Sequence, residues 1–329
     1  MSTFPDGVFQ YGGEPVGGAR FSSPWATSWF VDGTSGYDGF DGKAPDRSKK
    51  TVQAALTAAS WGDVVYLRPF QMGAGAVWPA DLSEPGYYAE TLTVPYTTHW
   101  LSMIGVQPGA KDPSYCRIVA PETINTWGLT VNAPCFHAEN LTFKLYESHA
   151  TPGTPYGVVN LAATVGAAGY STAGGSNGAS FYNCSFESGQ VKVRGGYHSL
   201  FSRCQFLNMY VTCDQGNGNL WFDAHEVPAF QHEVENCLFE SSTVAAPTYH
   251  YVYVNGSQYT FWIHGCRFDR KPTSGVFYEN YGAVGGMMTD CFFNEDAVTC
   301  GTSSKEVLIG SGQFEVVGCY DRTSLIATT

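Results

Sequence analysis

The sequence predicts an all-β solenoid, and three observations carry that prediction. A short pattern recurs along the C-terminal half: Asn183-Cys184-Ser185-Phe186, Arg203-Cys204-Gln205-Phe206, Asn236-Cys237-Leu238-Phe239, Gly265-Cys266-Arg267-Phe268, Asp290-Cys291-Phe292-Phe293 and Gly318-Cys319-Tyr320. Asn140-Leu141-Thr142-Phe143 has the same shape with Leu in the Cys slot, and the intervals from Leu141 onward are 43, 20, 33, 29, 25 and 28 residues. Repeats of that length mark units that bury their apolar face against their neighbours. The second observation is that Cys and Phe stand two apart, so a strand turns both to one face, and both favour burial. The third is the residue before the Cys, which is Asn, Gly or Asp in five of the six Cys units, Arg203 being the exception. Those types tolerate a left-handed backbone. Each unit therefore reads as a sharp bend into a short strand with an apolar inner face.

Composition agrees. Of 329 residues, 43% are hydrophobic and only 14% charged, with 38 Gly, the make-up of a turn-rich β protein. A net charge of −12 opposes a phosphate backbone and excludes nucleic acid as the expected partner. The start, Met1-Ser2-Thr3-Phe4-Pro5-Asp6-Gly7, has neither the charged nor the apolar region of a signal peptide. The ten cysteines accordingly read as packed, reduced thiols rather than a disulfide framework. No run reaches the ~18 apolar residues of a membrane span.

In chain order, residues 1–28 hold paired glycines, prolines and Phe4, Phe9, Tyr11 and Phe21, an extended arm expected to lie on the body or on a partner. Residues 29–62 form an N-terminal cap with a helix over 48–60. There Val52, Ala55, Leu56 and Ala59 make one apolar stripe, and Asp46 or Ser48 supplies the N-cap. Strands are expected at 64–69, 90–94, 100–106 and 117–120. The coils run over 63–320, and 321–329 is a tail.

The runs Asp32…Gly36-Tyr37-Asp38…Gly42, Thr51-Val52-Gln53-Ala54-Ala55 and Gly62-Asp63-Val64-Val65-Tyr66-Leu67 resemble the opening of right-handed parallel β-helix (pectate-lyase-like) proteins. Tyr88-Ala89-Glu90-Thr91-Leu92 and Leu101-Ser102-Met103-Ile104-Gly105-Val106 resemble their first coils. The resemblance covers roughly residues 30–320. It implies a single right-handed parallel β-helix whose open end is covered by the amphipathic helix, through Val52, Leu56 and Ala59. The fold hosts lyases, hydrolases, epimerases and viral spikes, so it carries no reaction with it.

The richest polar stretch, residues 214–235, fills the longest interval between Cys slots and is expected to contain a protruding loop, where sites tend to sit. It supplies Asp223 and Glu226 as catalytic candidates and Trp221, His225 and His232 as glycan contacts; Trp262 joins them from the next coil. His225-Glu226 with His232 is not a zinc motif. Ala229 stands where the second His belongs and Pro228 breaks the helix it needs, so no metal and no cofactor are expected. Glu240 and Asp269 follow Phe in successive units and point outward. On adjacent coils their Cα atoms would lie about 4.8 Å apart, compatible with the ~5–5.5 Å of a retaining glycosidase pair. The plainer alternative is two solvated carboxylates beside Arg267 and Arg270. Lys192 and Arg194 could imitate the base of pectate lyases, but no aspartate cluster accompanies them.

Two function classes follow. The first is a non-enzymatic phage virion surface protein, a capsid decoration or short tail spike. It would assemble in the host cytoplasm as a homotrimer, with capsid or tail proteins as partners and host glycans as possible contacts. The arm Phe4-Pro5-Asp6-Gly7…Tyr11-Gly12-Gly13-Glu14-Pro15-Val16-Gly17 resembles the openings of phage structural proteins. The alternative is a tailspike depolymerase, a polysaccharide lyase or glycoside hydrolase on the same scaffold.

Overall fold

The computed structural model describes residues 9–11, 14–16, 26–69, 86–106, 116–120, 127–145, 157–162, 176–194, 196–207, 219–240, 250–269, 277–280, 284–294, 307–308 and 313–320. Apart from an antiparallel pairing of Phe9–Tyr11 with Glu14–Val16, every strand pair among them is parallel. That hairpin lies in the arm, whose letters show no secondary-structure period.

Each coil turns through three faces. Face 1 stacks Leu92–Val94, Trp127–Val131, Gly157–Leu161 and Val191–Arg194, then the first parts of Leu220–Glu235 and Val252–His264. Face 2 stacks Ser28–Asp32, Val64–Arg68, Ser102–Gly105, His137–Glu139, Ser180–Tyr182 and Leu200–Ser202. The second parts of the same two long strands follow, then Val284–Thr289 and Gln313–Val317. Those long strands join faces 1 and 2 into one 17-stranded sheet. Face 3 is an eight-stranded sheet from Tyr88–Ala89 to Phe292–Phe293.

The Cys-x-Phe unit is the corner into face 3. Asn140, Asn183, Arg203, Asn236, Gly265, Asp290 and Gly318 all have φ between 49° and 65°, so the bend is left-handed at every coil, Arg203 included. Six Cys slots and the Phe of every unit that has one are buried in a single core cluster. The rings of Phe143, Phe186, Phe206, Phe239, Phe268 and Phe293 stack in that order, with centroids 5.9, 5.0, 4.5, 4.9 and 5.1 Å apart. One more coil extends the column: Cys116 and Ile118 occupy the Cys and Phe slots beneath Leu141 and Phe143. The eight described cysteines are free thiols. Burial pushes the thiols of Cys116, Cys184 and Cys237 upward, so they stay protonated.

A second left-handed corner separates faces 1 and 2. Gly62, Trp100, Cys135, Gly178, His198, Gln231 and Thr260 have positive φ, and the residue after each is buried: Asp63, Leu101, Phe136, Ala179, Ser199, His232 and Phe261. The residue types vary so widely that no repeat is visible in the letters.

The helix is shorter than the sequence suggested, Val52–Ala58, and Thr51 is its N-cap, its hydroxyl accepting from the Ala54 N–H. Neither Asp46 nor Ser48 caps it: Pro45–Arg47 is a separate 3-10 turn. The Glu90 carboxylate accepts from the N–H groups of Val52 and Gln53 at 2.8 and 2.9 Å, tying the helix to a coil. Val52, Ala55, Leu56 and Ala59 are buried in the same cluster as Trp29, Val31 and Leu92. No helix among the described residues is long and apolar enough to cross a membrane.

Candidate functional site

Strand alternation on face 1 sends Leu129, Val159, Val191, Leu220 and Val252 inward, all fully buried. The next positions turn outward and fall in register across four coils: Asn160, Lys192, Trp221 and Tyr253. Outward residues on a solvated sheet are exposed; these are only 8%, 3%, 5% and 7% exposed. Two positions further on, Arg194 stands beside Asp223.

Lys192 organises the group. Its Nζ lies 3.1 Å from Asp223 Oδ2 and 3.3 Å from the centre of the Trp221 ring. The ammonium thus has a carboxylate and a π face as counter-groups, which a buried cation requires. Trp221 meets Tyr253 edge-on at 6.4 Å, and His250 stacks on Tyr253 at 6.2 Å. Among the described residues, Trp221 Nε1, Asn160 Oδ1 and Arg194 Nε are buried polar atoms with no hydrogen-bond partner. An indole N–H, an amide oxygen and a guanidinium N–H left unmet on one face form an arrangement that a polar ligand would complete.

The structure sorts the sequence candidates. Trp221 and Asp223 belong to the face 1 group, joined by Lys192 and Arg194, which no aspartate cluster accompanies in the sequence but which meet Asp223 across coils. His225 and Glu226 lie where the register with the next coil is interrupted, between Ala224 and Ala229, and outside the residues whose side chains are described. Much of the expected loop is no loop: residues 220–235 are one continuous strand. His232 is corrected outright as a glycan contact. It is 1% exposed, its ring 5.1 Å from that of Phe222, and its Nδ1 accepts from the Ser199 N–H at 3.3 Å. Burial, helped by nearby His198, drives its pKa down to about 3, so it is a neutral core residue. Trp262 lies on face 2, 45% exposed. Glu240 and Asp269 are register partners on face 3, but Arg267 Nε donates to Asp269 Oδ1 at 2.7 Å. The arginine's own pKa is raised by that bond and by the charges of Asp269 and Glu240, the pattern of a carboxylate held in an ion pair with an exposed guanidinium.

A separate cluster appears on face 2. Glu233 and Glu235 point outward from one strand, and His264, the register partner of Glu235, sits between them: its Nε2 is 2.7 Å from Glu233 Oε1 and 3.7 Å from Glu235 Oε2.

No protein-family model and no curated protein matches this sequence. Solved structures do. Alginate lyase from Paenibacillus sp. str. FPU-7 aligns with a TM-score of 0.50 at 10% identity, over 83% of this chain and 93% of that one. Pectin methylesterase PemA from Erwinia chrysanthemi gives 0.47 at 14% identity, over 91% and 90%. Tailspike protein gp49 from the Acinetobacter baumannii bacteriophage Fri1, a capsular polysaccharide depolymerase, gives 0.44 at 11%, over 82% of this chain and 55% of that one. Identities this low speak for fold alone. The chain is a right-handed parallel β-helix protein. Within that class the fold does not name a ligand or a reaction, and the side chains must be argued on their own.

Proposed function

We propose that this protein is a glycan-binding β-helix of a phage particle surface, and that face 1 holds an acidic saccharide. The observation that carries the binding reading is the row Asn160, Lys192, Trp221, Tyr253 with Arg194 and Asp223 beside it. The Tyr253 ring suits the apolar face of a pyranose, and the Asn160 amide oxygen and the Trp221 indole N–H suit its hydroxyls. Arg194, the positive charge left once Lys192 is paired with Asp223, suits a uronate carboxylate on a chain of net charge −12. The particle context rests on the sequence: an arm resembling phage structural proteins and a column of reduced cysteines.

The test is calorimetric titration of the full chain with uronate oligosaccharides and with neutral ones of equal length. The acidic series should bind more tightly. Arg194→Gln, at a partly exposed position, should weaken it about tenfold or more, the worth of a charge-assisted hydrogen bond. Equal affinity for both series, or none for either, would sink the reading. The depolymerase alternative is favoured by one feature, the buried Lys192–Asp223 pair, because an acid–base couple is what elimination or hydrolysis needs. Growth of unsaturated-uronate absorbance or of reducing ends during the titration would move the protein to that class.

A further inference from the structure

We infer that Glu233, Glu235 and His264 on face 2 form a binding site for a divalent transition-metal ion of the Zn2+ type. The argument begins with the strand. Glu233 and Glu235 are two apart, so both leave the same side, and parallel register sets His264 directly opposite Glu235 and Trp262 opposite Glu233. The two carboxylates and the imidazole each present one ligand atom, and all three atoms lie within 4.8 Å of one another. Both carboxylates converge on a single nitrogen, His264 Nε2, at 2.7 and 3.7 Å. One N–H proton serves one of them well and the other poorly. A dication between the three would serve all. Tetrahedral ligands bonded at about 2.0–2.2 Å to Zn2+ stand roughly 3.3 Å apart, a value the two observed separations bracket, so small side-chain rotations suffice.

A second feature lies outside the ligand set. Ser202 on the preceding coil is 2% exposed, and its hydroxyl donates from beneath to Glu235 Oε1. A buried hydroxyl fixing a ligating carboxylate from behind is how metal sites orient their ligands. The three ligand side chains are 36%, 35% and 28% exposed, so the site opens to solvent and leaves room for a fourth ligand. One imidazole with two carboxylates matches borderline ions rather than Ca2+, which takes oxygen alone. The site differs from the His225/His232 pattern weighed in the sequence, and it stands independently of the saccharide reading of face 1.

The experiment titrates Zn2+ alone into the full-length, chelator-treated protein by calorimetry, with Co2+ absorbance in parallel. One strong site per chain is expected, with the visible bands of tetrahedral nitrogen and oxygen ligation. His264→Ala and Glu233→Gln should each lower affinity at least a hundredfold, and Ser202→Ala about tenfold. All three variants should keep the wild-type circular dichroism spectrum. Failure to bind Zn2+, binding that survives His264→Ala, or a sulfur-to-cobalt charge-transfer band showing that the cysteines take the ion would each overturn the assignment.

Discussion

Arg203 is the one long, charged side chain among the left-handed bends that lead into face 3, where neighbouring coils carry Asn, Gly or Asp. The bend rewards an amide: Asn183 Nδ2 donates to Asn140 Oδ1 at 2.7 Å across two coils. A Cβ built on Gly265 would lie 2.6 Å from Asn236 Oδ1, which shows how closely these side chains approach the next bend. Arg203→Asn should therefore raise stability by about 1 kcal/mol, from relief of the left-handed strain and entry into the amide ladder. That gain exceeds the loss of an exposed guanidinium 5.5 Å over Tyr182. A denaturant midpoint that falls would contradict it. His232 carries the residue-scale pH prediction. Its folded pKa of about 3 lies below the ordinary value near 6.5, so only the unfolded chain takes up a proton between them. Its contribution is complete above about pH 6.5 and is lost as pH falls toward 3, amounting to about 2 kcal/mol by pH 5. His232→Gln, which retains an acceptor for the Ser199 N–H, should flatten the stability profile between pH 5 and 7. An unchanged slope would show that other groups govern it.

At the scale of the element, the Phe stack of face 3 joins consecutive coils directly. Phe206 lies 5.0 Å from Phe186 and 4.5 Å from Phe239, so truncation breaks two stacked contacts and leaves a void between coils. Phe206→Ala should cost about 3–5 kcal/mol. Phe206→Leu should cost roughly half as much, because Ile118 already fills the equivalent slot near the start of the column. Equal losses for the two variants in chemical denaturation would mean that volume and stacking do not matter there. The cap has an equivalent anchor in Asp63, which accepts from the Thr27 N–H, Trp29 Nε1 and the Ser60 N–H at 2.8, 2.9 and 2.8 Å. This buried carboxylate occupies the inward slot after a left-handed Gly62, the same slot that His232 fills five coils later. The repeat thus has two corners per coil, and only the one marked by Cys and Phe could be read from the letters.

At the scale of the molecule, exposed Trp262, Met287, Val317 and Tyr320 leave apolar surface on the last coils. We propose a homotrimer, since cyclic closure limits the association of such a surface. The full chain should sediment as a trimer, and a chain lacking residues 1–28 should keep its β-sheet spectrum but fail to enter particles. A monomer at high concentration, or normal incorporation of the shortened chain, would count against this assembly. The Ala/Gly/Ser-rich stretch 162–179, whose small side chains would suit close packing between columns, falls largely outside the described residues.

The sequence by itself determined the coil. Side-chain alternation and left-handed bends are local properties, so Cys-x-Phe after Asn, Gly or Asp was enough to place an inward column, a parallel stack and unpaired thiols. It did not place His232 inside, because the register break between Ala224 and Ala229 and the left-handed corner at Gln231 interrupt the alternation that begins at Leu220 and Phe222. Only the tertiary structure decided which outward residues meet. Lys192 reaches Asp223, and His264 reaches Glu233, because register between coils is set by the lengths of the intervening segments. Those lengths vary from coil to coil, so a functional face assembled across coils leaves no fixed spacing in the chain.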